Sequence, residues 1–77
     1  ATAIRATELE PGNPHPWVAL ALAHWSNGEI PQAQQQYRQA IALDSRYRAA
    51  SYLEHLLQAG FAPAQVDRTR SLLAALP

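Results

Sequence analysis

The chain has 77 residues and no cysteine, and its six basic and six acidic side chains give a formal net charge of zero at pH 7. This composition excludes disulfides, thiolate metal sites and thiol catalysis. It also creates no net field that would draw the chain to nucleic acid or to an anionic membrane. Because no net field attracts a partner, we expect local shape to determine which partner binds. A chain of this length forms one domain with a modest core.

The longest apolar run, from Trp17 to Ala23, is much shorter than the roughly 20 residues that cross a bilayer. No basic-then-apolar signal segment opens the sequence. Because the chain begins with Ala1 instead of Met, we expect it to be a piece of a longer protein. The sequence therefore predicts no membrane span and leaves the compartment undetermined.

Clusters of Gly, Pro, Asn and Asp separate five helix-length segments, and abundant Ala with few β-branched residues favours an all-α fold. In four segments apolar residues recur every three or four positions, as is typical of amphipathic helices. Their predicted buried faces are Ala3, Ala6 and Leu9 in residues 2–10; Ala33, Tyr37, Ala40, Ile41 and Leu43 in residues 31–43; Ala49, Tyr52, Leu53, Leu56 and Leu57 in residues 46–58; and Val66, Leu72, Leu73 and Leu76 in residues 64–76.

Two glycines and two prolines mark the ends of these helices. Pro31 and Pro63 stand where a first helical residue needs no backbone donor, and Gly28 and Gly60 suit the left-handed residue that ends a helix. When the sequence is aligned with itself at a shift of 32 residues, Gly28 and Pro31 align with Gly60 and Pro63. At a shift of 34 residues, the buried face of residues 2–10 aligns with that of residues 31–43. This self-similarity predicts a helical repeat whose second turn is two residues shorter.

The middle of the chain, from Pro14 to Ser45, carries a set of residues at fixed spacing: Trp17, Leu20, Ala21, Gly28, Ala33, Tyr37, Ala40 and the Leu43–Asp44 pair. This spacing resembles the tetratricopeptide repeat (TPR) family. His24 stands where the family usually has Tyr, and Ser45 stands where it usually has Pro.

The resemblance implies antiparallel helix-turn-helix repeats in a right-handed superhelical solenoid. Residues 1–13 look like the second helix of a preceding repeat, 14–45 like a full repeat, and 46–77 like a divergent repeat or a capping helix pair. Such repeats serve as protein-interaction scaffolds, so the resemblance implies a protein or peptide partner, no active site and no cofactor.

The segment from Trp17 to Trp25 is apolar almost all round because it carries two stripes, at about 100° per residue. By the resemblance, the first stripe packs in the repeat core and consists of Trp17, Leu20, Ala21 and His24. The second, called the concave stripe below, lines the concave face of the solenoid and consists of His15, Val18, Leu22 and Trp25.

We predict that the concave stripe binds a peptide or partner segment, since exposed aromatic and apolar clusters concentrate binding energy. Val18 and Leu22 replace the Lys and Asn of the clamp-type family members, so no carboxylate clamp is expected. The alternative is a structural spacer within a larger enzyme or assembly factor, in which a neighbouring repeat or domain covers the stripe.

A helix-turn-helix DNA-binding function is a further, less favoured alternative. Gly60 and Val66 have the required spacing, and Arg68 and Arg70 lie on the second helix. The zero net charge argues against it, because phosphate neutralisation supplies most of the affinity of such proteins. Arg46 and Arg48 are interpreted as a solvated pair, with binding of an acidic partner as the alternative, and Arg68 and Arg70 are interpreted in the same way.

No enzymatic or metal chemistry is predicted. His15 and His24 lie on opposite faces of one helix and His55 lies on another, whereas zinc needs converging ligands. No phosphate loop or HExxH pattern is present. The apolar face of residues 2–10, with Ile4 at its margin, has weak cover, so we predict self-association of the isolated fragment.

Overall fold

The structure is a computed structural model that describes residues 3–76, apart from the side chain of Ala3. Four α-helices and two 3₁₀ helices follow one another, and no strand occurs in this range. They are α1 (Ala3–Leu9), α2 (Pro14–Ser26), α3 (Ile30–Leu43), η1 (Ser45–Arg48), η2 (Ala50–Leu57) and α4 (Pro63–Ala74). The all-α prediction is confirmed for the described residues.

Local sequence signals account for the helix ends. Asn13 caps α2, because its Oδ1 accepts a hydrogen bond from the backbone N–H of His15 at 3.0 Å. Pro63 is the first residue of α4, whereas Pro31 is the second residue of α3, a position that also needs no backbone donor. Gly28 and Gly60 have φ of +76° and +94°, which confirms the predicted left-handed turns.

Helices α2 and α3 form an antiparallel hairpin, α1 packs against α2, and α4 contacts α2, α3 and η2. The Nε2 atom of Gln34 on α3 donates to the carbonyl of Ala75, the C-cap of α4, at 3.1 Å. This hydrogen bond joins α3 to the end of α4. The Cα trace measures 27 × 26 × 22 Å, so the last helix folds back over the hairpin. A superhelical solenoid does not follow from these contacts and stays a prediction.

The core is one cluster shared by the hairpin, the 3₁₀ helices and α4. Its buried members are Val18, Ala21, Leu22, Ala33, Tyr37, Ala40, Ile41, Tyr47, Leu53, Leu56, Val66 and Leu72. Of the predicted face of α4, Leu73 and Leu76 are half-buried. Thr69 is fully buried, and its hydroxyl donates to the carbonyl of Gln65 at 2.7 Å, which satisfies the only polar group it would bury.

The prediction of one α-helix over residues 46–58 is wrong. The segment forms two 3₁₀ helices separated by Ala49, whose backbone is extended (φ −96°, ψ 121°). With three residues per turn, Leu53 and Leu56 share a face and are both fully buried. Leu57, which an α-helix would place on the buried stripe, is 46% exposed.

The predicted buried face of α1 is also wrong at Leu9, which is 66% exposed. Thr7 is buried instead, and its hydroxyl donates to the carbonyl of Ile4 at 2.7 Å. Ala6 is half-buried, and the side chain of Ala3 lies outside the described part of the chain. Because Thr7 satisfies its own hydroxyl within the helix, it can turn inward at small cost.

Candidate partner-binding surfaces

The concave stripe does not form an open groove in this structure. Val18 is fully buried and Leu22 is 4% exposed, and both belong to the same core cluster as Leu56, Val66 and Leu72. Helix α4 contacts α2, so the later part of the chain covers this side of the hairpin. The prediction of an exposed stripe is therefore corrected at its two central residues.

The two ends of the stripe remain partly accessible. His15 is half-buried and meets the rings of Tyr47 and Phe61 edge-on, at centroid distances of 6.2 and 6.5 Å. Trp25 is half-buried and packs against the core. Sequence periodicity placed these residues on one helix face, but it could not reveal that later segments would fold against that face.

The residues of the TPR-like signature lie mostly in the packing between α2 and α3. Five are buried: Leu20, Ala21, Ala33, Tyr37 and Ala40. Trp17 and His24 are half-buried, Gly28 occupies the turn, and Leu43 is 38% exposed. The predicted repeat core and the observed core therefore share their central members.

Polar atoms on two of these side chains have partners. The indole Nε1–H of Trp17 donates to the carbonyl of Pro11 at 3.2 Å, which ties the end of the α1–α2 connection to the start of α2. The Nδ1–H of His24 donates to Oε1 of Gln36 across the hairpin. These bonds satisfy the polar groups that packing would otherwise leave unpaired.

A buried tyrosine pair joins α3 to η1. The hydroxyl of Tyr37 donates to the backbone carbonyl of Tyr47 at 2.6 Å, and both side chains are almost fully buried. Burial, with the neighbouring Tyr47, raises the pKa of Tyr37 far above its ordinary value. Burial is also the main cause that raises the pKa of Tyr47 to about 12. This pair holds η1 against the hairpin and keeps two phenols neutral.

An ion pair and three aromatic rings in contact with one another follow along η1 and η2. The guanidinium of Arg46 makes two bonds to Asp44, from Nε to Oδ1 at 2.9 Å and from Nη2 to Oδ2 at 2.8 Å. Its Cζ lies 4.7 Å from the centroid of the Tyr52 ring. Tyr52 in turn meets Tyr47 edge-on at 5.2 Å and stacks on His55 at 4.4 Å. We call Asp44, Arg46, Tyr52 and His55 the ladder.

The ladder was not anticipated from the sequence. Asp44 caps η1, because its Oδ1 accepts a hydrogen bond from the backbone N–H of Arg46 at 3.1 Å. Hydrogen bonding from Arg46 lowers the pKa of Asp44 below its ordinary value. Arg46 thus pairs with Asp44 while its side chain stays 67% exposed. The sequence signal that could have indicated this ion pair was an aspartate at the helix cap, Asp44, followed two residues later by an arginine, Arg46.

A second group of charged side chains, besides the Asp44–Arg46 pair, lies on α4 and η2. Arg70 pairs with Asp67 at 3.1 Å and with Glu54 at 3.6 Å, whereas Arg68 is exposed. The guanidinium proposed for DNA reading therefore already has two carboxylate neighbours. Within residues 3–76, no group of three or more His, Asp or Glu side chains is placed to hold a metal ion.

The outer face of α1 is the most exposed apolar surface among the large side chains. Ile4 is 55% exposed and Leu9 is 66% exposed. Arg5 and Glu8 are also exposed, and at about 100° per residue all four lie within one arc of α1. Other large exposed apolar residues, Leu43 and Leu57, lie on other elements and have lower exposure.

None of the helices in the described range is long and apolar enough to span a membrane. Comparison of the chain with protein-family models, with curated proteins and with solved structures finds no significant match.

Proposed function

We propose that the chain is a TPR-like protein-interaction or scaffolding module with no catalytic site of its own. The signature residues at family spacing support this proposal, as does the α2–α3 hairpin in which most of them are buried around a left-handed Gly28 turn. A hairpin of this kind buries its remaining apolar surface against neighbours. The surfaces that stay apolar and exposed are therefore where a partner binds.

The proposal is supported by the exposure of Ile4 and Leu9, which lie at the two edges of one arc of α1, about 140° apart. A partner helix that packs along α1 would cover both of these side chains, each of which is more than half exposed. The outer face of α1 replaces the concave stripe as the proposed binding surface, because Val18 and Leu22 are already covered.

The charge order of α1 indicates what kind of partner fits. Arg5 lies in the first turn and Glu8 in the last, the reverse of what the dipole of α1 favours. An antiparallel helix beside α1 places its N-terminus near Glu8, and that contact is favourable. The proposed partner is an amphipathic helix that packs antiparallel to α1, from another protein or from a second copy of the chain.

A structural spacer is the second candidate, and the burial of Val18 and Leu22 favours it. In that case the chain fills its own concave side and serves to hold neighbouring parts of a larger protein apart. The two candidates differ in whether α1 binds a separate helix saturably.

The test is selection of helix-forming peptides from a displayed library, followed by titration into the ¹⁵N-labelled chain. The proposal expects saturable amide shifts along α1, lost in Leu9→Glu. Leu57→Glu is the matched control, because Leu57 is also an exposed leucine but lies on η2. Shifts centred on His15 and Trp25 would instead assign binding to the concave stripe. Failure to select any saturable binder would favour the spacer.

Sedimentation of the chain across a range of concentrations examines self-association through the same face. The wild-type chain is expected to associate weakly, since one short helix offers far less than the roughly 800 Å² per partner of a standard interface. Leu9→Glu is expected to reduce that association and Leu57→Glu to leave it unchanged. A wild-type mass that stays monomeric at the highest concentration contradicts self-association without excluding a different helical partner.

A further inference from the structure

The segment from Ser45 to Leu57 has a sequence suited to one α-helix but a structure made of two 3₁₀ helices. Its residues include Ala, Leu, Glu and Arg, which favour the α-helix, and it contains no Gly or Pro. Yet η2 runs for eight residues, whereas 3₁₀ runs longer than three or four residues are uncommon. Specific side-chain contacts, and not helix propensity, therefore hold the segment in the 3₁₀ form.

Two anchors hold the ends of the segment. At its start, the hydroxyl of Tyr37 binds the carbonyl of Tyr47, and Asp44 holds both the backbone N–H and the guanidinium of Arg46. At its end, Gly60 turns the chain into α4, and the N–H of Phe61 donates to the carbonyl of Leu56 at 3.0 Å. A 3₁₀ helix rises about 2.0 Å per residue and an α-helix about 1.5 Å, so the 3₁₀ form makes an eight-residue segment about 4 Å longer.

The contact between Arg46 and Tyr52 can exist only while the segment is broken at Ala49. In a continuous α-helix Arg46 and Tyr52, six positions apart, would point about 120° apart around the axis and lie about 9 Å apart along it. In the structure the guanidinium lies over the Tyr52 ring at 4.7 Å, because the extended Ala49 turns η2 back toward η1. The Tyr47–Tyr52 edge contact at 5.2 Å depends on the same break.

We propose that residues 45–57 form a two-state segment, in which the contact of the Asp44–Arg46 pair with Tyr52 holds the broken 3₁₀ form against a continuous α-helix. In the α form Leu57 lies four residues after Leu53 and joins its buried face, whereas in the 3₁₀ form Leu57 is 46% exposed. The exposure of Leu57 therefore reports which state is populated. This inference concerns η1 and η2 and does not rest on binding by α1.

The test removes the guanidinium in the whole chain. Arg46→Ala is expected to shift the ratio of the two forms by about five- to tenfold toward the α-helix, since a cation–π contact and an exposed ion pair are lost together. In nuclear Overhauser spectra, α-proton to amide contacts between residues two apart are expected to weaken and contacts between residues four apart to strengthen across 49–57. The Arg46 side chain is 67% exposed, so its removal leaves no cavity in the core.

Arg48→Ala is the matched control, because Arg48 is an exposed arginine of the same 3₁₀ helix, whereas the guanidinium over the Tyr52 ring is that of Arg46. Tyr52→Ala, which removes the ring and leaves the arginine, is expected to act like Arg46→Ala. A cysteine introduced as Leu57→Cys in this cysteine-free chain adds a second measurement. Its labelling rate by a thiol reagent is expected to fall in the Arg46→Ala background and to stay unchanged with Arg48→Ala.

Retention of the 3₁₀ pattern and of the labelling rate in both Arg46→Ala and Tyr52→Ala would overturn the proposal. Loss of helical contacts of both kinds across residues 49–57 would overturn it as well, because the segment would then unfold instead of changing its helix type. A shift to the α pattern in Arg48→Ala as large as that in Arg46→Ala would show that the ladder has no special role.

Discussion

The buried hydrogen bond from Tyr37 to the carbonyl of Tyr47 gives a prediction about stability at neutral and alkaline pH. Tyr37→Phe removes the hydroxyl and keeps the ring, so the core cluster stays filled. The carbonyl of Tyr47 loses a donor that lies at 2.6 Å, in a place that water does not reach. We expect the free energy of unfolding at pH 7 to fall by about 1–2 kcal/mol.

The alkaline dependence follows from the raised pKa values of both phenols. In the unfolded chain a tyrosine ionises at about pH 10, but in the folded chain both stay neutral to higher pH. Their contribution to stability is therefore complete below pH 10 and is lost as the pH rises above it. At pH 11 each neutral phenol costs about 1.4 kcal/mol relative to the unfolded chain, so the pair costs about 2.8 kcal/mol.

Urea unfolding at pH 7 and at pH 11 measures both effects. Between pH 7 and pH 11 the free energy of unfolding is expected to fall by about 1.4 kcal/mol less in Tyr37→Phe than in the wild type, because only the Tyr47 phenol is then kept neutral. Tyr52→Phe, which removes a hydroxyl from a half-exposed ring, is the control at pH 7 and is expected to cost less. An alkaline decrease of equal size in the wild type and in Tyr37→Phe would refute the reasoning.

Two further predictions concern the helix type of η2 and the turn that follows it. Leu56→Ala is expected to lower the free energy of unfolding by about 2–4 kcal/mol and Leu57→Ala by less than about 1 kcal/mol, because only Leu56 is buried; equal losses in urea unfolding would contradict the 3₁₀ register. Gly60→Ala is expected to cost about 1 kcal/mol because φ is +94° there. Gly12→Ala is the control, since Gly12 has no positive φ and its added Cβ meets nothing within 4 Å; an equal effect at both glycines would argue against the left-handed turn.

Much of the α2–α3 hairpin could be predicted from the sequence because its signals are local. Asn13 and Pro14 start α2, and Gly28 ends it in a left-handed turn. The spacing from Ala33 through Tyr37 fixes the buried face of α3. Each of these signals acts within one or two helical turns, so no knowledge of the rest of the chain was needed.

The candidate site was harder to predict because exposure depends on what packs against a surface. Val18 and Leu22 have the apolar character of a groove floor, but in the structure they are core residues. Leu9 was assigned to a buried face and is 66% exposed, while Thr7, a polar residue, is buried in its place. The apolar character of Val18, Leu22 and Leu9 indicated that their burial is favourable. It could not show whether this chain or a partner buries them.

The sequence by itself determined the all-α class, the order of the helices and the left-handed glycine turns, because helix propensity, capping and turn chemistry act between near neighbours in the chain. The tertiary structure alone decided that residues 45–57 take the 3₁₀ form and that the concave stripe is covered. Both depend on contacts between distant segments: η1 is anchored to α3 through the Tyr37 hydroxyl, and α4 folds back onto α2. Such contacts set the length that a segment must span and the surface that it leaves to solvent.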